Sequence, residues 1–350
     1  MVKILYGLCG EGLGHASRGR ILIRYLKKRH EIRIVAGGKA FSYMSKEFDN
    51  VYKIHSPHFV YRKGGVRLFL TILRMIFQTF IMIPFSFLKI RKILKEFKPD
   101  ILLTDAEPIS FYASFFSKIK RICIDNQQSL FHRNYDIRFG DFFAWFALFI
   151  ILKLFFFNAD KYIIYDFFDE QIKNNNVLFI KPLVQDGILK QKAKDNNHIF
   201  VYQTSISSEF ICNTLKDIDE RFIIYGFDKE LFDENLVFKK FNDLEFYKDI
   251  STAKAIITNG GFTVLSEALY LKKPIFSMPI KNQYEQIVNA QFIKKIGAGV
   301  YKKELNKEDV LDFLQHLNFY KENLKNYNPG SQKETLKIIE DQINSVITSS

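Results

Sequence analysis

The stretch Asn259–Asn289, NGGFTVLSEALYLKKPIFSMPIKNQYEQIVN, decides how the rest of this chain is read. The apolar run Ala255–Thr258 predicts a strand that ends in Gly260-Gly261, where missing side chains let the backbone come close to a ligand. A helix is expected from near Thr263, and its first amide N–H groups have no partner within the helix. Such a terminus attracts phosphate. Glu267, four residues past Thr263 and so on the same face, is an acceptor-only carboxylate placed to hold vicinal hydroxyls such as those of a ribose. After a second short strand, Pro274–Met278, Pro279 opens a loop bearing Gln283, Glu285, Gln286 and Asn289, amide and carboxylate groups suited to a sugar. Each piece also has a plainer reading. A Gly-Gly between strand and helix is commonly a simple turn, and Gln286 or Asn289 alone would suit a helix surface.

It is the combination that carries the reading. Gly260-Gly261-Phe262-Thr263, Glu267-Ala268, Lys273-Pro274, Pro279, Gln283, Glu285-Gln286, Asn289-Ala290 and Gly297-Ala298-Gly299 together resemble the C-terminal half of the GT-B glycosyltransferases. Within that fold the likeness is to those akin to the lipid-linked N-acetylglucosaminyltransferase of peptidoglycan synthesis and related UDP-sugar enzymes. The resemblance implies an α/β chain of two Rossmann-like, doubly wound domains facing a cleft. It implies a nucleotide-diphosphate sugar as donor, no cofactor, and no metal, because a helix terminus and loop amides neutralise the leaving diphosphate. Gly260, Gly261 and Thr263 would receive phosphate, Glu267 the ribose, and Gln283, Gln286 and Asn289 the sugar. Domain closure would complete the site.

Outward from that stretch, short apolar runs alternate with helical patterns, the signature of a parallel α/β sheet. One series comprises Val2–Tyr6, a helix over Ile21–Lys28, Glu31–Ala36, Ile101–Thr104 and Arg121–Ile124; a second comprises Ile199–Tyr202, Phe222–Tyr225, Ala255–Thr258 and Ile275–Met278. The polar segment Gln185–His198 between them reads as a linker. The expected domains are residues 1–184, which would bind the acceptor, and 185–330, which would bind the donor. A capped helix over Ser331–Ile347, within a terminal segment 331–350, would cross back to the first domain as the resemblance implies.

The first strand leads into Gly7-Leu-Cys-Gly10-Glu-Gly12-Leu-Gly14-His15-Ala-Ser-Arg18. The glycines invite a dinucleotide reading, but the spacing is not GxGxxG and no Lys-Ser/Thr pair follows. The second strand ends in Ala36-Gly37-Gly38 without an acidic residue for a ribose. A Gly-rich turn carrying a histidine instead resembles the first-domain loop of the same glycosyltransferases. Inverting transfer requires an acceptor hydroxyl to lose its proton as it attacks the anomeric carbon, and a histidine suits that work near neutrality. His15 is therefore a candidate base, with phosphate binding or helix capping as its plainer roles. Gly14 and Arg18 are candidate acceptor or phosphate contacts.

Asp105 and Glu107, in Thr104-Asp-Ala-Glu-Pro108 at the end of another strand, are rival bases or partners that orient His15; the plainer reading is that Asp105 caps the helix beginning near Pro108. Asp125, Asn126 and Gln127 are weaker acceptor candidates. Gln203-Thr204-Ser205 stands where the family carries a Gly-Ser-rich diphosphate loop, and this chain departs from that pattern, leaving a hydroxyl contact from Thr204 or Ser205. Around Asp243–Phe246 the resemblance implies a nucleobase held by backbone groups, without fixing which base.

At 350 residues with 47% hydrophobic and 25% charged side chains, the composition is that of a folded protein of two ordinary domains. Its 37 Phe are far above common usage, and some of that excess reflects coding bias. Three scattered cysteines form no CxxC pair or zinc spacing, which points to a reducing cytosol. The N-terminus lacks the apolar core and cleavage site of a signal peptide.

A net charge of +13 calls for an anionic partner. Nucleic acid has no support beyond that charge, because no recognition motif is present. In Val66–Leu88 the polar exceptions Arg67, Thr71, Arg74 and Gln78 form one narrow helical stripe, with Pro84 expected to kink or end the helix. From Arg62 to Lys98 nine Lys or Arg stand against one acid, Glu96. Phe142–Phe157 is apolar but for Lys153, and shorter than the roughly 20 residues that span a bilayer. The two runs together suit a domain lying on the cytoplasmic face of an anionic membrane, and the alternative is two buried core helices.

The sequence thus predicts a glycosyltransferase moving a sugar from a nucleotide-diphosphate sugar, UDP-linked by resemblance, to a hydroxyl of a glycan or lipid-linked acceptor, with inversion. Two alternatives are a nucleotide-sugar 2-epimerase of the same architecture and a noncatalytic membrane or nucleic-acid binder on a degenerate version of it.

Overall fold

The computed structural model describes all residues except 11–12, 56–60, 63–64, 67, 134–136, 138, 169–174 and 350, with the side chains of 61–62, 65–66, 68–69, 71–72, 74–81, 139 and 154–155 also outside the description. Gly12 of the first glycine loop and the side chains of the Arg67, Thr71, Arg74 and Gln78 stripe therefore lie outside the described residues. The chain divides into two compact units: residues 1–60, 67–183 and 330–350 form the first, and 61–66 with 184–329 the second.

In chain order the first unit contains β1 (Lys3–Leu8), α1 (Gly14–Leu26), β2 (Glu31–Ala36), α2 (Gly38–Met44) and β3 (Val51–Lys53). A two-stranded hairpin, β4 (Tyr61–Arg62) and β5 (Gly65–Val66), is assigned to the second unit. The first then continues with α3 (Leu68–Phe97), β6 (Ile101–Asp105), α4 (Pro108–Ser114), β7 (Lys120–Asp125), α5 (Ser129–His132), α6 (Phe142–Phe155), β8 (Lys161–Tyr165) and β9 (Val177–Ile180). Its seven strands lie in the order β3-β2-β1-β6-β7-β8-β9, paired in parallel throughout. The central strands are buried on both faces, as their unbroken apolar runs require.

The second unit contains α7 (Asp186–Leu189), β10 (Ile199–Tyr202), α8 (Ser208–Leu215), β11 (Phe222–Tyr225), β12 (Leu231–Asp233), β13 (Leu236–Phe238), α9 (Asp243–Thr252), β14 (Ala255–Thr258), α10 (Phe262–Tyr270), β15 (Ile275–Ser277), α11 (Tyr284–Lys295), β16 (Gly299–Tyr301), α12 (Lys307–Gln315) and α13 (Leu317–Lys325). Its sheet runs β12-β13-β11-β10-β14-β15-β16, parallel except for the antiparallel edge strand β12. Val201, Ile224, Ile257 and Phe276 from its central strands pack with α8 and α12 into one core.

The last helix, α14 (Gln332–Thr348), belongs to the first unit and is capped by Ser331. Glu340 fastens it to α1 and the turn that follows: Tyr25 Oη and Arg29 Nη1 each donate to Oε2 at 2.7 Å, and His30 Nε2 lies 3.2 Å from Oε1.

Four expectations need correction. The first helix begins at Gly14 rather than near Ile21, so it rises directly from the glycine loop. Pro84 does not end α3, which continues to Phe97, and Ile90, Ile93, Leu94 and Phe97 of its second half are buried. Segment 185–198 is no bare linker, since α7 packs on α9. A Cβ at Gly187 would come within 2.2 Å of the Tyr247 ring, which explains the glycine. Finally, Glu285, Gln286 and Asn289 lie on α11 rather than in a loop.

Candidate functional site

Each sheet reverses its winding once, between β1 and β6 in the first unit and between β10 and β14 in the second. In open α/β sheets, ligands bind outside the carboxyl ends of the strands at such switch points. The residues singled out from sequence gather at these two places.

In the first unit, the parallel register sets Leu8 beside Asp105, and the Cys9 amide donates to the Asp105 carbonyl at 3.0 Å. The start of α1 is thereby held against the end of β6. His15 Nδ1 lies 2.6 Å from Asp105 Oδ1, and the Arg18 guanidinium is 3.5 Å from the same oxygen. Arg18 Nη2 also lies 3.2 Å from His15 Nδ1; with the Asp105 carboxylate as the closer partner, Nδ1 carries the proton and Nε2 is left as the basic nitrogen. Arg18, one helical turn past His15, is buried and faces the Tyr165 ring at 5.4 Å. Gly14 is the first residue of α1.

Glu107 is turned into its own helix. Its two carboxylate oxygens accept from the amides of Ile109 (2.9 Å) and Ser110 (2.7 Å), so it is Glu107, not Asp105, that caps α4 with Pro108 at the first helical position. Between the two acids Ala106 adopts a left-handed backbone, φ +52. That turn sends Asp105 toward His15 and Glu107 into its own helix.

Asp125, at the end of neighbouring β7, is fully buried. Burial, reinforced by the Asp105 charge and opposed by the Gln128 amide, His15 and Arg18, pushes its carboxyl up to about 7. Sequence reading ranked it below Asp105 and Glu107, because nothing local reveals its burial.

In the second unit, Gly260 has φ +90, a conformation glycine adopts without strain, and a Cβ there would crowd Ser277 Oγ at 2.9 Å. Gly261 is the N-cap of α10, supplies no side-chain cap, and has open space where a Cβ would stand. The helix starts at Phe262, with Thr263 in its first turn, and Glu267 lies one turn further on and is buried. Burial first, and then the Asp243 charge at the start of α9, raise the Glu267 carboxyl to about 8. Glu267 in turn is near enough to Tyr202, at the end of β10, for its charge to add to the effect of burial in raising that hydroxyl.

Gln286 and Asn289 hold the loops in place. The Ile280 amide donates to Gln286 Oε1 at 3.0 Å, and Asn289 Nδ2 donates to the Gly260 carbonyl at 3.1 Å. Gln283 is the N-cap residue of α11, without a side-chain cap bond. Ser205 accepts from Asn259 Nδ2 at 2.8 Å.

Two residues to which the sequence reading gave no role stand out. Asn259 joins the ends of β10 and β14 through its side-chain amide. Phe241 is 55% exposed just ahead of α9, with its ring 5.1 Å from Phe246. The sequence offers only the Phe241-Asn242 pair ahead of a helix, Asn242 being the N-cap of α9; the exposure of the ring comes from the structure.

Two doubly wound α/β units, each with its sheet reversing at one switch point, make up the GT-B fold. Residues 2–318 match the family described as Glycosyl transferase family 1, and the chain belongs to that family. An uncharacterized glycosyltransferase of Methanosarcina mazei is 27% identical over 331 residues, covering 85% of both chains, and one of Methanosarcina acetivorans is 25% identical over 332 residues. Among solved structures, Acinetobacter baumannii MurG superposes with a TM-score of 0.62 at 14% identity, covering 97% of this chain and 99% of that one. Phytolacca americana UGT2, complexed with UDP-2fluoro-glucose and pterostilbene, gives 0.68 at 9% identity, covering 99% and 100%. These likenesses establish the fold, and the family makes the protein a glycosyltransferase enzyme.

Proposed function

We propose that this glycosyltransferase transfers a sugar from a nucleoside-diphosphate donor to an acceptor hydroxyl with inversion, the second unit holding the donor and the first supplying the base. The observation that carries the reading is the start of α10, where Gly260 and Gly261 bare its amides and Glu267 lies one turn behind them. Those amides receive the diphosphate and offset its charge as it leaves, without requiring a divalent ion. Glu267 takes the two ribose hydroxyls, and the exposed Phe241 ring offers a face to the base. Gln283, Gln286 and Asn289 shape the sugar side. Similar folds have been solved with UDP-2fluoro-glucose in UGT2 and with dTDP in VinC, which supports a nucleoside diphosphate here.

In the transfer step, the acceptor oxygen attacks the anomeric carbon and its bond to the diphosphate oxygen breaks. The acceptor proton passes to His15 Nε2, and Asp105 stabilises the imidazolium so formed.

The acceptor is a glycan or lipid-linked hydroxyl, and the protein works on the cytoplasmic face of an anionic membrane. In support, Phe85 and Leu88 of α3, Phe116, and Phe142, Phe143, Phe146 and Ile150 of α6 are exposed large apolar residues, and Arg91 lies 5.4 Å from the Phe116 ring. Among the described residues no helix is long and apolar enough to cross a membrane.

The test is incubation with UDP- and dTDP-sugars, with and without polyprenyl-phosphate-linked and free glycan acceptors. Acceptor-dependent release of the nucleoside diphosphate supports the reading. Epimer formation at turnover rates without acceptor overturns it.

A further inference from the structure

We propose that Asn259 is a positioning residue that locks the Gln203-Thr204-Ser205 turn onto the end of β14 and so presents that turn to the donor diphosphate. The proposal rests on the donor reading of the second unit. Asn259 is 3% exposed. Its Oδ1 accepts from the Thr204 amide (3.0 Å) and from Thr204 Oγ1 (3.3 Å), and its Nδ2 donates to Gln203 Oε1 (2.6 Å) and Ser205 Oγ (2.8 Å). A side-chain amide has two acceptor sites and two donor hydrogens, and all four are occupied. Asn259 therefore acts on a ligand through the turn rather than by touching it.

The topology explains why such a tie sits there. Strands β10 and β14 are parallel neighbours with Tyr202 opposite Thr258, so residues 203–205 and Asn259 leave the sheet together at the switch point. Asn259 leads directly into Gly260-Gly261 and α10, so one side chain couples the turn to the helix that receives phosphate. From the other side Gly226, at φ +109, presses against the turn so closely that a Cβ would lie 2.0 Å from the Gln203 carbonyl oxygen. A glycine-rich loop can settle around a diphosphate by itself. The turn Gln-Thr-Ser contains no glycine, and here its shape is imposed by a neighbouring amide and a neighbouring glycine.

The test is titration of the full chain with UDP and, separately, uridine, for wild type, Asn259→Ala, Asn259→Asp, Ser205→Ala and the Asn259→Ala/Ser205→Ala pair. Asn259→Ala is expected to weaken UDP about tenfold while uridine affinity stays unchanged. Asn259→Asp keeps the acceptor toward Thr204 but loses both donations, and shows the same split if the alanine variant does not fold. The double variant should lose no more than its worse single, because the two residues act as one unit. Equal loss of UDP and uridine would show general damage to the unit and overturn the proposal, as would unchanged UDP affinity in a folded Asn259 variant. A wild type that binds UDP no better than uridine overturns the diphosphate reading itself, and this proposal with it.

Discussion

His15 Nδ1 lies 2.6 Å from Asp105 Oδ1, and the two residues are 90 positions apart in the chain. In the proposed transfer this contact sets the imidazole tautomer and places a counter-charge beside the imidazolium. His15→Ala should lower kcat by about 10²–10⁴-fold, with donor affinity unchanged. Asp105→Asn should also lower kcat, because an amide oxygen stabilises the charged ring less. Steady-state kinetics with binding measured separately would check both; a His15→Ala enzyme of near wild-type kcat removes the base assignment.

Glu107 separates the cap from the chemistry. Glu107→Ala should cost about 0.5–2 kcal/mol of stability through loss of the α4 cap. Its kcat should remain close to wild type. Thermal unfolding beside kinetics decides, and a kcat loss comparable to that of His15→Ala would restore Glu107 as a catalytic acid or base.

Glu267 has its carboxyl raised to about 8 by burial and then by Asp243, so the free enzyme keeps it protonated at neutral pH. Ribose hydroxyls donate best to the ionised form, so binding should release a proton. Nucleoside-diphosphate affinity should then rise about tenfold per pH unit up to about 8 and level off above it. The unfolded chain ionises near the ordinary glutamate range and the folded one near 8, so the stability contributed by the protonated carboxyl is full at low pH. It is lost as pH rises through that window. Glu267→Gln should consequently gain in melting temperature relative to wild type between pH 5 and 9. Calorimetry in two buffers of different ionisation enthalpy counts the proton; none released at pH 7 contradicts the assignment.

Gly187 lets α7 lie against Tyr247, and a methyl group there would overlap the ring. Gly187→Ala should destabilise the protein by about 1–3 kcal/mol. A melting temperature equal to wild type would show that the α7–α9 contact does not matter.

The exposed aromatic residues of α6 give the membrane proposal its handle. Phe143→Asp with Phe146→Asp should abolish co-flotation with anionic vesicles, and added salt should weaken the wild type. Wild-type protein that never floats at low salt would remove membrane attachment from the account.

Much of the fold was legible because buried parallel strands are unbroken apolar runs. Ile199–Tyr202, Phe222–Tyr225 and Ala255–Thr258 have the expected bounds. Short β16 and the edge strands β3 and β12, three residues each, carry too little pattern to stand out. The Gly260–Glu267 segment was legible because its parts are contiguous. The pairing of His15 was legible only as a choice between Asp105 and Glu107, because which carboxylate reaches it depends on β1 lying beside β6 in the sheet. The choice between Asp105 and Glu107 as the cap turned on the left-handed Ala106, which composition does not announce.

The most direct test of the central claim is calorimetric titration of UDP and dTDP into wild type, His15→Ala and Glu267→Ala. Wild type and His15→Ala should bind at least one of the two alike, while Glu267→Ala loses most of that affinity. Undiminished binding by a folded Glu267→Ala protein would contradict that claim.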